Sequence, residues 1–401
     1  MRIAPNPTYP LRVYGVHWWL QCGGLWLLVL LTLTSVGLVA TRIIDLREGY
    51  DPIIQAPPDT LPGLWARWDS TYYIVLASEG YASHPDKAGF FPLFPFLIAA
   101  VSQFLGLSAT LSGMLIAQGS FLVALLGFYK LARQINDNHA YAIRSVLYLL
   151  LFPTSFFFYA IYAESLYLAF SIWSAYFVLR KHPNYLVAGL ASGFASLARP
   201  VGWLLNIILL TEFIVRRKFT WSSFATVGVA MMVSIAGVVG YVYYLYTLTG
   251  TFLAIPIAQA QWLRHWQYPW LTYWQSIAAT FSDVRQLNDW FLYVINWVDL
   301  GFTTFALVLT ALAAQMAIHQ RVRWSLTLYL GCALLFLLSM AGPAVVIPLW
   351  SMSRWVGSLF PLFLVMAQLT ESRLGNRLMF AFSGAVLVFF TAWWGSGRWV
   401  A

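Results

Sequence analysis

The chain has 401 residues, of which 60% are hydrophobic and 9% are charged. A soluble globular domain carries roughly 25% charged residues, so this composition excludes a water-facing surface over most of the chain and makes lipid its main solvent. The formal net charge of +9 is split into short groups between apolar runs instead of lying along one stripe, which argues against a nucleic-acid-binding face.

In chain order, apolar runs of spanning length occur at about 23–41, 109–129, 145–162, 164–180, 184–198, 201–215, 220–247, 298–318, 324–341, 355–370 and 378–395. They predict an all-α polytopic membrane protein with about eleven transmembrane helices in a single integral membrane domain, 1–401. The first run follows Arg2 and Arg12 and is long enough to stay as an anchor, so no cleavable signal peptide is expected. Cys22 and Cys332 sit in or beside apolar runs and read as buried free thiols.

Charge sets the orientation. With these spans, 14 of the 23 Lys and Arg fall on one side: Arg2, Arg12, Lys130, Arg133, Arg144, Arg180, Lys181, Arg216, Arg217, Lys218, Arg321, Arg323, Arg373 and Arg377. Only three acids accompany them, Asp137, Glu212 and Glu371. By the positive-inside rule this side is cytoplasmic. The apolar stretch 91–106 would invert every later loop if it crossed, so it is read as an interfacial or re-entrant helix on the outer side. The N-terminus is then cytoplasmic. Two long external segments follow, about 42–107 and 248–297, and loops of such length tend to be functional.

The first external segment is expected to carry two juxtamembrane helices. One covers 62–79, with Thr60 as cap, Pro62 in the first turn and Gly80 at the end. At 100° per residue Trp65, Trp68, Tyr72, Val75 and Leu76 share one stripe; Arg67, Ser70, Thr71 and Ser78 lie opposite. Asp69 falls at the edge of the aromatic stripe. A carboxylate there can act as a general base if a proton-bearing substrate reaches it; position alone fits a solvated acid, paired with Arg67, better.

The run Arg67-Trp68-Asp69-Ser70, continued by Tyr72, Ala77, Glu79-Gly80-Tyr81 and Phe90-Phe91-Pro92-Leu93-Phe94-Pro95, resembles the PIG-V-like mannosyltransferases. These are GT-C glycosyltransferases of the glycosylphosphatidylinositol pathway, with bacterial relatives. Further matches follow in family order: Phe152-Pro153-Thr154-Ser155-Phe156-Phe157 through Ala163-Glu164-Ser165-Leu166, Ala198-Arg199-Pro200-Val201-Gly202, Ala258-Gln259 with Trp262, Arg264 and Trp266, and Ser351-Met352-Ser353-Arg354 through Phe360-Pro361. The first block is the most specific. Pro200-Val201 stands where the family commonly has Ser-Asn, and the chain is shorter than eukaryotic members, which suggests a relative in a prokaryotic plasma membrane.

The resemblance implies a GT-C-type fold and inverting transfer of a sugar, mannose in this family, from a polyprenyl-phosphate donor to a glycolipid or glycan acceptor on the non-cytoplasmic side. It implies no cofactor besides that lipid-linked co-substrate, and it makes Asp69 the catalytic base. Trp68 matches the family's Trp-Asp pair, with Arg67 beside it as a substrate contact. Arg354 is the first candidate for the leaving phosphate, since guanidinium presents a planar fork to phosphate; the alternative is an interfacial snorkelling arginine. Arg199 interrupts an apolar run, where charge is costly and often functional; equally, it can be a structural partner of Glu164. Glu164 fits a substrate hydroxyl contact or an internal ion pair. Arg264 and Gln259 are candidates for donor and sugar contacts, against ordinary loop residues. Glu79 fits structural pairing better than a second acid. His84 with Asp86 lacks the further ligands a metal needs, and no metal site is expected. Neither a Walker-type glycine loop nor an Asp-x-Asp pair is present. The same fold acting on another sugar is the nearest alternative. A lipid or solute transporter is the nearest of another class, and it lacks the expected symmetry of two halves.

Overall fold

The computed structural model describes residues 17–44, 54, 56–217, 219–281, 290–343, 346–370 and 372–400. Of the charges named above, Arg2, Arg12, Lys218 and Glu371 lie outside the described residues.

The chain is an integral membrane protein. Among the described residues, five helices are long and apolar enough to cross a membrane, and four shorter apolar helices accompany them. The first long helix is α1 (Trp18–Ile43). Two short helices follow, α2 (Leu61–Trp65) and α3 (Ser70–Ser83), and then α4 (Leu93–Leu105). Next come α5 (Ala109–Ile135), α6 (His139–Leu150), α7 (Glu164–Leu179), α8 (Tyr185–Ala198), α9 (Asn206–Arg216) and α10 (Trp221–Thr249). Then come α11 (Ala254–Gln261) and α12 (Pro269–Phe281), and α13 (Trp290–Ile318) returns through the bundle. The C-terminal set is α14 (Trp324–Ser339), α15 (Met352–Gly357), α16 (Pro361–Leu369) and α17 (Arg373–Gly395). His265–Trp266 pairs antiparallel with Met340–Ala341, tying the segment between α11 and α12 to the loop after α14.

The central row runs α5, α7, α8, α10, with α1 and α17 packed together beside α5. Lipid-embedded helices gain little from hydrophobic contact with one another, so close backbone approach and buried hydroxyl pairs hold them together. A Cβ at Gly189 of α8 would strike the backbone of Ala230 of α10, and one turn on, Ser192 and Ser234 share a hydrogen bond of 2.7 Å. Arg144 of α6 donates twice to the carbonyl of Ala367, at 3.0 and 2.7 Å, placing a cation at the C-terminal end of α16 where the helix dipole favours it.

Several expectations are corrected. The helix predicted over 62–79 is broken at Ala66–Asp69. Thr60 does cap its first half, accepting from the Gly63 amide, but Trp68 takes a left-handed conformation, φ 52°, and the second half restarts at Ser70. Most of the stripe opposite the aromatics is not solvated: Arg67 and Ser70 are fully buried, as is Trp65, Thr71 is nearly so, and only Ser78 is exposed. Protein, not the bilayer surface, covers this segment. The span predicted at 145–162 is helical only to Leu150. From Leu151 to Ala163 the chain runs through turns and a short 3-10 segment, Ser155–Phe158, tolerated at that depth because it is packed inside protein. The span at 355–370 is likewise two helices, α15 and α16. The start of α13 at Trp290 shortens the expected external segment 248–297.

Candidate active site

The five sequence motifs meet in one cavity of about 640 Å³. The first supplies Asp69, set by a strained turn. The left-handed backbone at Trp68 costs roughly 1–2 kcal/mol, and neighbours hold it in place. The Arg67 amide donates to Ser70 Oγ at 3.2 Å, the Ser70 amide to the Arg67 carbonyl at 3.0 Å, and the Asp69 amide to the Tyr162 hydroxyl at 3.2 Å. Arg67 itself is not brought to the cavity. Its guanidinium is buried and donates to the carbonyls of Pro58 and Gly395, both at 3.2 Å. It bolts the turn to the end of α17, which corrects the expectation of a substrate contact.

The second motif places Glu164 at the start of α7, buried. The third places Arg199 at the C-cap of α8. The turn that follows needs glycine at 202, because a Cβ there would collide with the backbone of Ala195 and Ser196. The last places Arg354 in α15, whose N-cap residue Ser351 is also left-handed, φ 68°. Strained backbone concentrates where a function over-determines it; Trp68 directly precedes Asp69, and Leu263, also left-handed at φ 56°, directly precedes Arg264 of the cavity.

These charges are linked. Arg354 Nη1 donates to Asp69 Oδ2 at 2.7 Å. Arg354 Nε lies 3.2 Å and Arg199 Nη1 3.0 Å from Glu164 Oε1. The two contacts to Glu164 lack hydrogen-bond geometry: among the described residues Arg354 Nε, Arg199 Nη1 and Glu164 Oε2 have no hydrogen-bond partner. The expected Arg199–Glu164 pairing is therefore present, and Asp69 is paired with Arg354 instead of Arg67. Asp69 keeps Oδ1 without a partner among the described residues and is a quarter exposed to the cavity.

Arg264 stands apart. The one hydrogen bond of its guanidinium among the described residues goes to the Trp350 carbonyl at 3.3 Å, and none of their carboxylates pairs with it. Its guanidinium lies 4.9 Å from the centroid of the Trp355 ring, against which Arg199 also packs at 5.2 Å. Burial, with the Arg354 cation nearby, pushes Arg264 down to about 10, still charged at neutral pH. Three guanidiniums (Arg199, Arg264, Arg354) and two carboxylates (Asp69, Glu164) line the cavity, so it holds one surplus positive charge. The indole nitrogens of Trp68 and Trp355, also without partners, add neutral donors. Burial, reinforced by Glu164, raises the Tyr73 hydroxyl well above its usual value, so it too stays a neutral donor. Gln259 lines the cavity beside Gly89.

Sequence reasoning missed Asp299. It is fully buried in α13 and its carboxylate accepts from the amides of Ser351 at 3.2 Å and Ser353 at 2.8 Å, fixing the loop that presents Arg354. An acid inside an apolar run was the available signal. Glu79 is paired with His84 at 2.6 Å and Asp86 with Lys87 at 2.7 Å, so His84 and Asp86 do not act together.

A helical membrane bundle with its acid and arginines gathered at the break between α2 and α3 is a GT-C-type fold. That fold is shared with ArnT from Cupriavidus metallidurans, solved bound to undecaprenyl phosphate, at TM-score 0.50 and 14% identity over 94% of this chain and 76% of that one. The Archaeoglobus fulgidus oligosaccharyltransferase aligns at TM-score 0.47 and 14% identity, over 93% of this chain and 53% of that one. Within the fold class, residues 52–220 match the family described as Mannosyltransferase (PIG-V), and over that segment the chain is PIG-V-like, as its motifs implied. GPI mannosyltransferase 2 of Drosophila pseudoobscura pseudoobscura is 26% identical over 227 residues, 51% of this chain and 48% of that protein. The chain thus spans about half the length of this curated relative.

Proposed function

We propose that the protein is an inverting membrane mannosyltransferase that moves mannose from a polyprenyl-phosphate donor to a hydroxyl of a lipid-linked or glycan acceptor. The observation that carries this is the cavity's charge set: a carboxylate with one open oxygen, held by Arg354 at 2.7 Å, facing a surplus guanidinium, Arg264, that has no acid of its own. The acceptor oxygen attacks the anomeric carbon. The new C–O bond forms as the bond to the donor phosphate breaks, and the phosphate leaves with the electron pair. Asp69 Oδ1 takes the acceptor proton; general-base assistance of this kind is worth about 10²–10⁴ in rate. Arg264 meets the charge that develops on the phosphate, the type of stabilisation that fixed cations supply best. The expected role of Arg354 on the phosphate passes to Arg264, because Arg354 is already engaged by two carboxylates. Glu164 and Arg199 orient Arg354 and offer unpaired polar atoms to sugar hydroxyls.

On this reading the segments 42–107 and 248–297 face the non-cytoplasmic side and the membrane is a prokaryotic plasma membrane. In support, Lys130, Arg133, Arg180 and Lys181 gather at the other end of the bundle from Asp69. Between those ends, α7 alone spans 16 residues, about 24 Å at a rise of 1.5 Å per residue. The test is transfer from labelled polyprenyl-phosphate-mannose to a panel of glycolipid acceptors by purified protein. Transfer is expected for at least one acceptor and a fall of about 10²–10⁴ with Asp69→Asn; unchanged transfer by that variant refutes the base assignment.

A further inference from the structure

A second cavity, of about 460 Å³, opens at the opposite end of the bundle between the first turn of α1 and the last turns of α5 and α7. Its charged lining is Lys130, Arg133, Arg180 and Lys181, with no acid among them. Of these, Arg133 pairs with Asp137, which projects into solvent outside the cavity. Lys130 has no carboxylate partner among the described residues; its ammonium sits 5.5 Å from each of the Trp18 and Trp173 rings. Arg180 rests on Tyr176 at 6.0 Å.

The decisive atom is Gln134 Nε2. Gln134 lines this cavity, and its Nε2, buried against protein, has no hydrogen-bond partner among the described residues. A buried orphan donor costs about 1–3 kcal/mol. Beside four cations it makes a pocket that offers donors and positive charge. Trp18 stacks on Tyr129 at 4.9 Å and walls one side.

We infer that this cavity binds the phosphate-bearing headgroup of an anionic membrane lipid. The phosphate accepts from Gln134 and the four cations, and the acyl chains follow α1, whose Trp19, Leu20, Leu27 and Leu28 face outward from the bundle. Headgroup, aromatic wall and apolar helix then lie at the levels that a bilayer assigns them. The chain's own N-terminal segment does not complement the pocket, because the sixteen residues before His17 carry two arginines and no acid. The site is separate from the sugar-transfer cavity, and its test requires no transferase activity.

Native mass spectrometry of the full chain, released from nanodiscs of mixed phosphatidylglycerol and phosphatidylcholine, reads the site. The wild type is expected to keep one phosphatidylglycerol in preference to phosphatidylcholine. Lys130→Gln with Arg180→Gln should reduce that retention by about tenfold or more, since charge-assisted hydrogen bonds are lost. Gln134→Leu should reduce it by about threefold to tenfold while thermal unfolding is unchanged or raised, which separates lost binding from lost folding. Arg321→Gln, an exposed cation outside the cavity, should leave retention unchanged. The inference is overturned if the wild type shows no preference, if Arg321→Gln matches the double variant, or if millimolar inorganic phosphate displaces the lipid and protects equally, which would make this a soluble-anion site.

Discussion

Replacing Arg264 by Gln separates a donor-binding cation from a structural one by the sign of two effects. In the folded protein this guanidinium gives one hydrogen bond to a carbonyl at 3.3 Å and one ring contact at 4.9 Å. Those are worth about 1 kcal/mol each. Against them stands the partial burial of a cation that no carboxylate of the described residues pairs with, a cost of similar size or larger. The balance is near zero, so Arg264→Gln should unfold within about 3 °C of wild type or above it. Donor binding should respond differently. Charge-assisted contacts to phosphate are worth about 1.5–3 kcal/mol, and one decade corresponds to about 1.4 kcal/mol. The dissociation constant for polyprenyl-phosphate-mannose should therefore rise roughly 10- to 150-fold. Arg354→Gln is the contrasting case: it leaves Asp69 and Glu164 facing each other without the cation between them and should cost about 3–5 kcal/mol of stability. Thermal unfolding in detergent and calorimetric titration with the donor measure both quantities. Donor affinity within threefold of wild type for Arg264→Gln, or an unfolding temperature lowered as far as that of Arg354→Gln, would refute the assignment.

Asp299→Asn keeps the shape of the side chain but removes the charge that accepts from the Ser351 and Ser353 amides. It should cost about 2–4 kcal/mol and speed amide exchange at 351–353 specifically, which a uniform loss of stability would not do. Gly202→Ala forces a methyl into the backbone of Ala195 and Ser196 and should destabilise by about 1–3 kcal/mol; transfer should fall with it, because the turn carries Arg199, and thermal unfolding with a parallel transfer assay checks this. In a background lacking Cys22 and Cys332, a cysteine at exposed Ser83 should label from outside intact cells and one at exposed Leu374 should not. Reversed labelling overturns the orientation.

Composition and run length, read from the sequence, determined that the chain lives in lipid and is helical, because 9% charge leaves no other solvent for it. Residue order determined which motifs to watch, and seven of the eight proposed site residues, all but Arg67, line one cavity. Helical periodicity failed at the motif itself. The 100° rule cannot foresee a left-handed Trp68, since that conformation is unfavourable locally and is held in part by contacts from Tyr162 and the end of α17, far along the chain. The same break turned Arg67 inward and left Asp69 for Arg354, a partner 285 positions away. Asp299 was visible as an acid in an apolar run, but its task was not, since the amides it holds come from a loop 52 and 54 residues later. Which arginine remains uncompensated was likewise decided by tertiary structure alone. Charge pairing depends on distances of a few ångströms between segments, and those distances are set by helix packing and are not written in the order of the residues.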